Sequence, residues 1–149
     1  MTLFIGFDHR GRDLALAIRR LLAARGVSTE TVGPAEGESF DYPVAAIAVG
    51  RAVSGGRCDA GVLVCNTGIG MSIAANKIAG VRAALATTVT MAEQSRRHNN
   101  SNILCLGAAN QPAEQALRMV EAWLDAPFEG GRHEKRIDAI RAVEGGGES

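Results

Sequence analysis

The sequence predicts an α/β fold: a single domain built on a five-stranded parallel sheet, with helices on both faces and a further helix at the C-terminus. Three observations carry that expectation. Five short apolar runs alternate with stretches of helical periodicity, the pattern of repeated strand-helix-strand units. The run Gly61-Val62-Leu63-Val64-Cys65 is apolar throughout rather than at every second position, as suits a strand covered on both faces. The segments that end the first and third runs, Asp8-His9-Arg10-Gly11 and Asn66-Thr67-Gly68, are polar and contain glycine, so the chain turns there before a helix.

In chain order, Leu3 to Phe7 is the first strand, and Leu14, Ala17, Ile18, Leu21 and Leu22 then recur at helical spacing up to Gly26. Ser28 to Val32 is the second strand, stopped by Gly33-Pro34. The polar stretch Ala35 to Tyr42 is a loop, and Pro43, whose fixed φ suits a first helical turn, opens a helix that runs to Gly55-Gly56. The third strand ends at Cys65, and a helix starts after the glycine-rich turn. Val81 to Ala86 is the fourth strand, after which Thr87 or Thr88 caps a helix carrying Met91, Ser95 and His98 on related faces. Ile103 to Leu106 is the fifth strand, with Cys105 in the core. Pro112 to Leu124 is a helix with Leu117, Val120 and Leu124 as its apolar stripe, and Arg132 to Val143 is the last. The domain spans residues 1–144, and the glycine-rich tail 145–149 is expected to be disordered.

At 149 residues the chain has room for one real core and not two. Sixteen basic and sixteen acidic residues cancel, which leaves no electrostatic footprint for nucleic acid or an anionic membrane. No apolar run approaches the ~20 residues of a membrane-spanning helix. Met1-Thr2-Leu3-Phe4 enters a strand without a basic leader, and Cys58, Cys65 and Cys105 are an odd set without metal-ligand spacing. Reduced thiols in a cytoplasmic protein are the expectation.

In open parallel sheets ligands bind beyond the carboxyl ends of the strands, where helix N-termini present free amides. Asp8, His9 and the stretch Cys65 to Gly70 belong there. A thiol beside such amides is a candidate base or nucleophile, because partial positive charge lowers its pKa from ~8.5. Simple packing is the competing account of a strand-end cysteine. A dinucleotide fingerprint is excluded, since Gly68-Ile69-Gly70-Met71-Ser72-Ile73 lacks a third glycine, follows a late strand and has no acidic residue ending the next one. A P-loop is excluded by the missing Gly-Lys-Ser/Thr. Of the histidines, His9 follows the first strand and His98 ends a helix before Asn99. A lone histidine is usually a satisfied surface or core residue, and that account is kept for His133. Arg132 and Arg136, four apart on one helix face, can share a phosphate, although from spacing alone a solvated basic face with Glu134 and Asp138 nearby is the better account. Gly130-Gly131 ahead of them point to close approach by a ligand or another chain.

Taken as an ordered series, Gly6-Phe7-Asp8-His9-Arg10-Gly11, Asp41-Tyr42-Pro43, Cys65-Asn66-Thr67-Gly68-Ile69-Gly70-Met71-Ser72-Ile73-Ala74-Ala75-Asn76-Lys77, Arg97-His98-Asn99, Ala122-Trp123-Leu124 and Phe128-Glu129-Gly130-Gly131-Arg132-His133 through Arg136-Ile137 resemble the ribose-5-phosphate isomerase B family. The resemblance runs from about Leu3 to Ile140 and extends to galactose- and allose-phosphate isomerases. It implies a Rossmann-like three-layer α/β/α domain, a homodimer or dimer of dimers with active sites at the subunit interface, a sugar-phosphate substrate, and no cofactor or metal. It implies Cys65 as the base that moves a proton between C2 and C1, His98 as the acid/base that opens the furanose ring, and Thr67 with the amides to Gly70 as the oxyanion cradle. Asp8, His9, Asn66, Gly68, Ile69, Gly70 and Asn99 match substrate-contacting positions, and Arg132 and Arg136 match phosphate ligands.

Several positions depart from the family's usual pattern: Phe7, Arg10, Asn66, Asn100 and Ala109, the last standing where an arginine that helps bind phosphate is typical. Arg10 beside His9 is a candidate relocated phosphate ligand. The expected activity is aldose–ketose isomerisation, with ribose 5-phosphate and ribulose 5-phosphate as the leading pair. The rivals are a tetrose phosphate or hexose 6-phosphate substrate, a sugar-phosphate-binding regulator without turnover and, more distantly, a nicotinamide oxidoreductase.

Overall fold

The apolar runs become the middle of a sheet, and the amphipathic stretches become the helices that cover it. A computed structural model describes residues 1–145, so the tail expected to be disordered lies, from 146 onward, outside the described residues. The elements are β1 (Thr2–Phe7), α1 (Arg12–Ala24), β2 (Ser28–Val32), α2 (Tyr42–Ser54), β3 (Ala60–Cys65), α3 (Ile69–Ala75), β4 (Ala83–Leu85), α4 (Val89–Asn99), β5 (Ile103–Gly107), α5 (Ala113–Asp125) and α6 (Arg132–Glu144). The five strands pair in parallel in the order β2-β1-β3-β5-β4. All six residues of β3 and all five of β5 are buried, which is why neither shows a polar face in sequence.

Side chains divide into two cores, one on each face of the sheet. On one side Leu14, Ile18 and Leu22 of α1, Ala92 of α4 and Ala116, Met119, Val120 and Trp123 of α5 pack on Leu3, Ile5, Val62 and Leu104. On the other, Ala45, Val49 and Ala52 of α2 and Met71 and Ala75 of α3 pack on Phe4, Leu63, Ile103 and Cys105. The stripe expected on α5 is therefore turned: Leu117 and Leu124 are only partly buried, and the interior face is 116, 119, 120 and 123. Trp123 decides it, because truncating so large a buried ring costs about 3–5 kcal/mol. Its Nε1–H donates to Ser101 Oγ at 2.8 Å, which also shares a hydrogen with Ser95 Oγ, and Arg96 lies over the indole. These contacts fasten α5 to the end of α4.

Strand β4 is shorter than the expected Val81 to Ala86. The Arg82 N–H donates to the side-chain Oδ1 of Asn102 at 2.8 Å instead of to a strand partner. As an edge strand, β4 also leaves backbone groups without a neighbour. Asn76, just past α3, fills that place: its Nδ2 donates to Ala83 O at 2.9 Å and its Oδ1 accepts from Ala83 N–H at 2.8 Å. Thr88 caps α4 as expected, its Oγ1 accepting from Met91 N–H at 3.1 Å.

Candidate active site

The connection out of β1 leads to one side of the sheet and the connection out of β3 to the other, so the crevice between their carboxyl ends is a topological switch point. Asp8 and Cys65 flank it. Cys65 closes β3, nearly buried at 5% exposure, and the Gly68 N–H donates to its Sγ at 3.2 Å. Gly68 sits at φ +78°, and a Cβ there would lie 3.0 Å from the Leu106 backbone and 2.6 Å from Leu85, so any side chain would lever the turn off the thiol. The Ile69 N–H donates to Thr67 Oγ1 at 3.3 Å, while the segment after β5 holds the turn from the other side. There Ala108 N–H donates to Cys65 O at 2.8 Å, Ala109 N–H to Asn66 O at 3.0 Å, and Asn110 Nδ2 to Thr67 O at 2.9 Å.

The first turn is built in the same manner. Asp8 Oδ1 accepts the N–H groups of Arg10 and Gly11 at 3.0 and 2.9 Å, and the Asp8 N–H donates to Val64 O at 3.3 Å. His9 Nδ1 lies 3.3 Å from both the N–H and the carbonyl oxygen of Phe40, accepting from the one or donating to the other according to its tautomer, and His9 lines a cavity of about 210 Å³ with Arg12 and Glu38. The ring of Tyr42 stands against Gly70, 2.4 Å from where a Cβ would be. Burial pushes the thiols of Cys105 and Cys58 up, Cys105 far more, so two of the three cysteines are held as inert thiols and Cys65 alone closes a strand at the crevice.

The remaining expected residues lie elsewhere. His98 and Asn99 end α4, and α4 runs back from the carboxyl end of β4 to the amino end of β5. Arg132 and Arg136 begin α6, which packs beside α4, and Glu129 N–H donates to Arg97 O at 3.0 Å. Cys65 is level with Gly107, and the amino end of β5 is Ile103. Four steps along a parallel strand at ~3.3 Å are roughly 13 Å. Within one chain the sulfur and the His98 imidazole are thus on opposite edges of the sheet, far beyond hydrogen-bond reach. The structure unites Asp8, His9, Arg10, Cys65, Asn66, Thr67, Gly68, Ile69 and Gly70 at one edge and His98, Asn99, Arg132 and Arg136 at the other.

One expectation is corrected at the second edge. His133 is no satisfied residue: it is buried, its ring stacks on His98 with centroids 4.4 Å apart, and its Nε2 has no hydrogen-bond partner among the described residues. Burial first, and then the neighbouring His98, push its pKa down. Gly130 and Gly131 both have positive φ, 66° and 57°, a backbone conformation that favours glycine, and within the chain nothing lies within 4 Å of either Cβ position. Tyr42 and Glu129 were not singled out from sequence as site residues; the Pro43 that starts α2 and the i,i+4 spacing of Glu129 and His133 were the available signals. A cavity of about 630 Å³ lies along β4 and α6 beside Asn99, Ile140 and Val143 and does not include Cys65. No helix is long and apolar enough to cross a membrane among the described residues.

A parallel α/β/α sandwich with a cysteine, a carboxylate and a donor-rich turn at its switch point defines a class of small-molecule enzymes of Rossmann-like architecture. Comparison with known proteins narrows it. The family model described as Ribose/Galactose Isomerase matches residues 3–140, and the chain belongs to that family. It is 45% identical over 139 residues to ribose-5-phosphate isomerase B of Escherichia coli K12, covering 93% of each chain. It superposes on the solved ribose-5-phosphate isomerase B of Clostridium thermocellum with a TM-score of 0.96 at 44% identity, covering 98% of this chain and 99% of the other. It is also 36% identical over 141 residues to D-erythrulose-4-phosphate isomerase of Pectobacterium atrosepticum, covering 94% of this chain and 93% of that one.

Proposed function

We propose that this protein is an aldose–ketose isomerase that interconverts ribose 5-phosphate and ribulose 5-phosphate without a cofactor. The observation that carries the reading is the Gly68 amide on the Cys65 sulfur at the switch point, a base held beside preorganised donors. As thiolate, Cys65 takes the C2 proton of the open-chain aldose and returns it to C1. The electron pair of the C–H bond rests meanwhile on the enediolate, whose oxygens face the Thr67 hydroxyl and the turn amides, and a proton passes between O1 and O2. Nothing is oxidised or reduced from outside. Donors of this kind are worth several kcal/mol, because a carbon acid is a poor proton source until the charge it leaves is met.

Opening the furanose needs an acid/base, the role read for His98, and the phosphate needs the guanidinium groups of Arg132 and Arg136. All three stand at the wrong edge of their own chain. A second copy supplies them: we infer a dimer in which the amino edge of one protomer covers the carboxyl edge of its partner. Exposed Tyr42, Ile69 and Ile73 beside the thiol, and Ile140 and Val143 on α6, are the apolar surface such a contact would bury.

A turnover screen across four-, five- and six-carbon aldose and ketose phosphates tests the reading. The ribose pair should be fastest, and Cys65→Ala should lose most turnover while still binding sugar phosphate. A sensor would be indifferent to that change. The second reading, a tetrose phosphate, has support in Ala109, where the family's usual phosphate arginine is missing, and preferred turnover of a four-carbon substrate would establish it.

A further inference from the structure

Where α4 ends and α6 begins, three side chains converge that the isomerase chemistry does not require together. Glu129 Oε2 lies 3.5 Å from His133 Nε2 and 3.8 Å from His98 Nε2, and the three ligand atoms all fall within 4.8 Å of one another. We propose that His98, Glu129 and His133 form a binding site for a zinc-type divalent cation, and that the bound cation inhibits the enzyme by occupying His98.

The geometry comes first. Ligand atoms about 2.0–2.1 Å from a tetrahedral ion stand roughly 3.4 Å apart, so the carboxylate oxygen is already near its place against both imidazoles. Only the two stacked rings have to tilt, bringing their Nε2 atoms together across the stack. His133 supplies the independent sign of a ligand. Its exposure is only 5%, yet its Nε2, 3.5 Å from Glu129 Oε2, makes no hydrogen bond among the described residues. An orphaned buried nitrogen is costly, and a coordinated ion removes the cost. Glu129 is aimed as well, since its N–H donates to Arg97 O and its Oε1 takes the Arg97 guanidinium at 3.4 Å, which turns Oε2 toward the histidines.

Two imidazoles and one carboxylate select zinc, copper or nickel over magnesium or calcium, which prefer oxygen alone. Three protein ligands leave a fourth position for water. Once the lone pair of His98 Nε2 is on an ion, that nitrogen cannot carry a proton to or from a ring oxygen. This inhibitory half rests on the ring-opening role proposed for His98; the site itself does not.

The test titrates Zn²⁺ into the metal-free, full-length protein against a chromogenic chelator, without substrate. One ion should bind per chain. Glu129→Gln, at a half-exposed position that does not threaten the fold, and His133→Gln should each weaken binding at least about tenfold, the usual scale for disturbing a metal's ligand sphere. Cys65→Ser should leave the affinity unchanged, and Co²⁺ should show no thiolate charge-transfer band. Wild-type affinity in Glu129→Gln, or binding lost in Cys65→Ser alone, would overturn the site. In the activity arm Zn²⁺ should suppress turnover of a ring-closed sugar phosphate, a chelator should restore it, and Glu129→Gln should need about ten times more metal. Binding at this site with turnover untouched would overturn the inhibitory half and the acid role of His98 while leaving the site standing.

Discussion

Dividing the site between two chains has a quantitative consequence in mixed assemblies. Cys65 and His98 of one chain are separated by at least about 13 Å along the sheet, four strand residues at ~3.3 Å, against the ~3 Å at which an acid and a base must meet substrate. If each active site takes its thiol from one protomer and its imidazole from the other, Cys65→Ala and His98→Asn homodimers are both crippled, by about 10²–10⁴ each. A heterodimer of the two has one site that carries both lesions and one that carries neither. Random exchange makes half of the dimers heterodimers, and each has one of two sites intact, so a 1:1 mixture should recover about a quarter of wild-type turnover. Co-expression with two different tags, followed by sequential purification, should raise this to about half. The assay is isomerisation of the best sugar phosphate, with light scattering to confirm assembly. A purified heterodimer no more active than its parents would refute the split site.

Arg10 and Ala109 follow β1 and β5 on either side of the β3 turn, so a guanidinium at position 10 is on the right edge to replace one missing at 109. Arg10→Ala should raise KM about tenfold or more with little change in kcat, as loss of one charge-assisted hydrogen bond requires, and an unchanged KM would remove Arg10 from the phosphate site. Asn76→Ala should cost about 1–3 kcal/mol for its two hydrogen bonds to Ala83, lowering the melting temperature by ~2–4 °C per kcal/mol. His133 gives a pH dependence. Its folded pKa lies below the ordinary 6.5, because burial, His98, Arg132 and Arg136 outweigh the opposing Glu129. The unfolded chain then binds more protons between the two values, so stability falls as pH drops below about 6.5 and through the folded value. His133→Gln should flatten that slope in thermal melts.

The sequence is most legible where a single force acts. Continuous apolar runs with polar stops placed β1, β3 and β5 within a residue or two, and the glycine turn after Cys65 announced itself because only glycine holds φ +78° against the Leu106 backbone. It is least legible where two patterns overlap. On α5 the sets 116-119-120-123 and 117-120-124 both have helical spacing, and only packing of the indole chooses between them. Val81 and Arg82 carry strand-like residues, but the side chain of Asn102 takes the Arg82 amide. The pairing of His98 with His133 depends on where α6 docks, which no local period encodes. The opposition of Cys65 and His98 was readable in principle, since a helix between parallel strands ends at their amino edge. It needed a three-dimensional step that a series of motifs does not contain.

Asn76 bears on how copies of the protein meet. Its carboxamide offers Ala83 the donor and acceptor that another polypeptide would otherwise bring, so the β4 edge of the sheet is blocked at that residue by one side chain, while β2 forms the opposite edge. Strand addition along β4, the route by which copies could stack into fibres from this edge, is thereby disfavoured. Removing that carboxamide reopens β4, and thioflavin-positive aggregation on prolonged warming should rise.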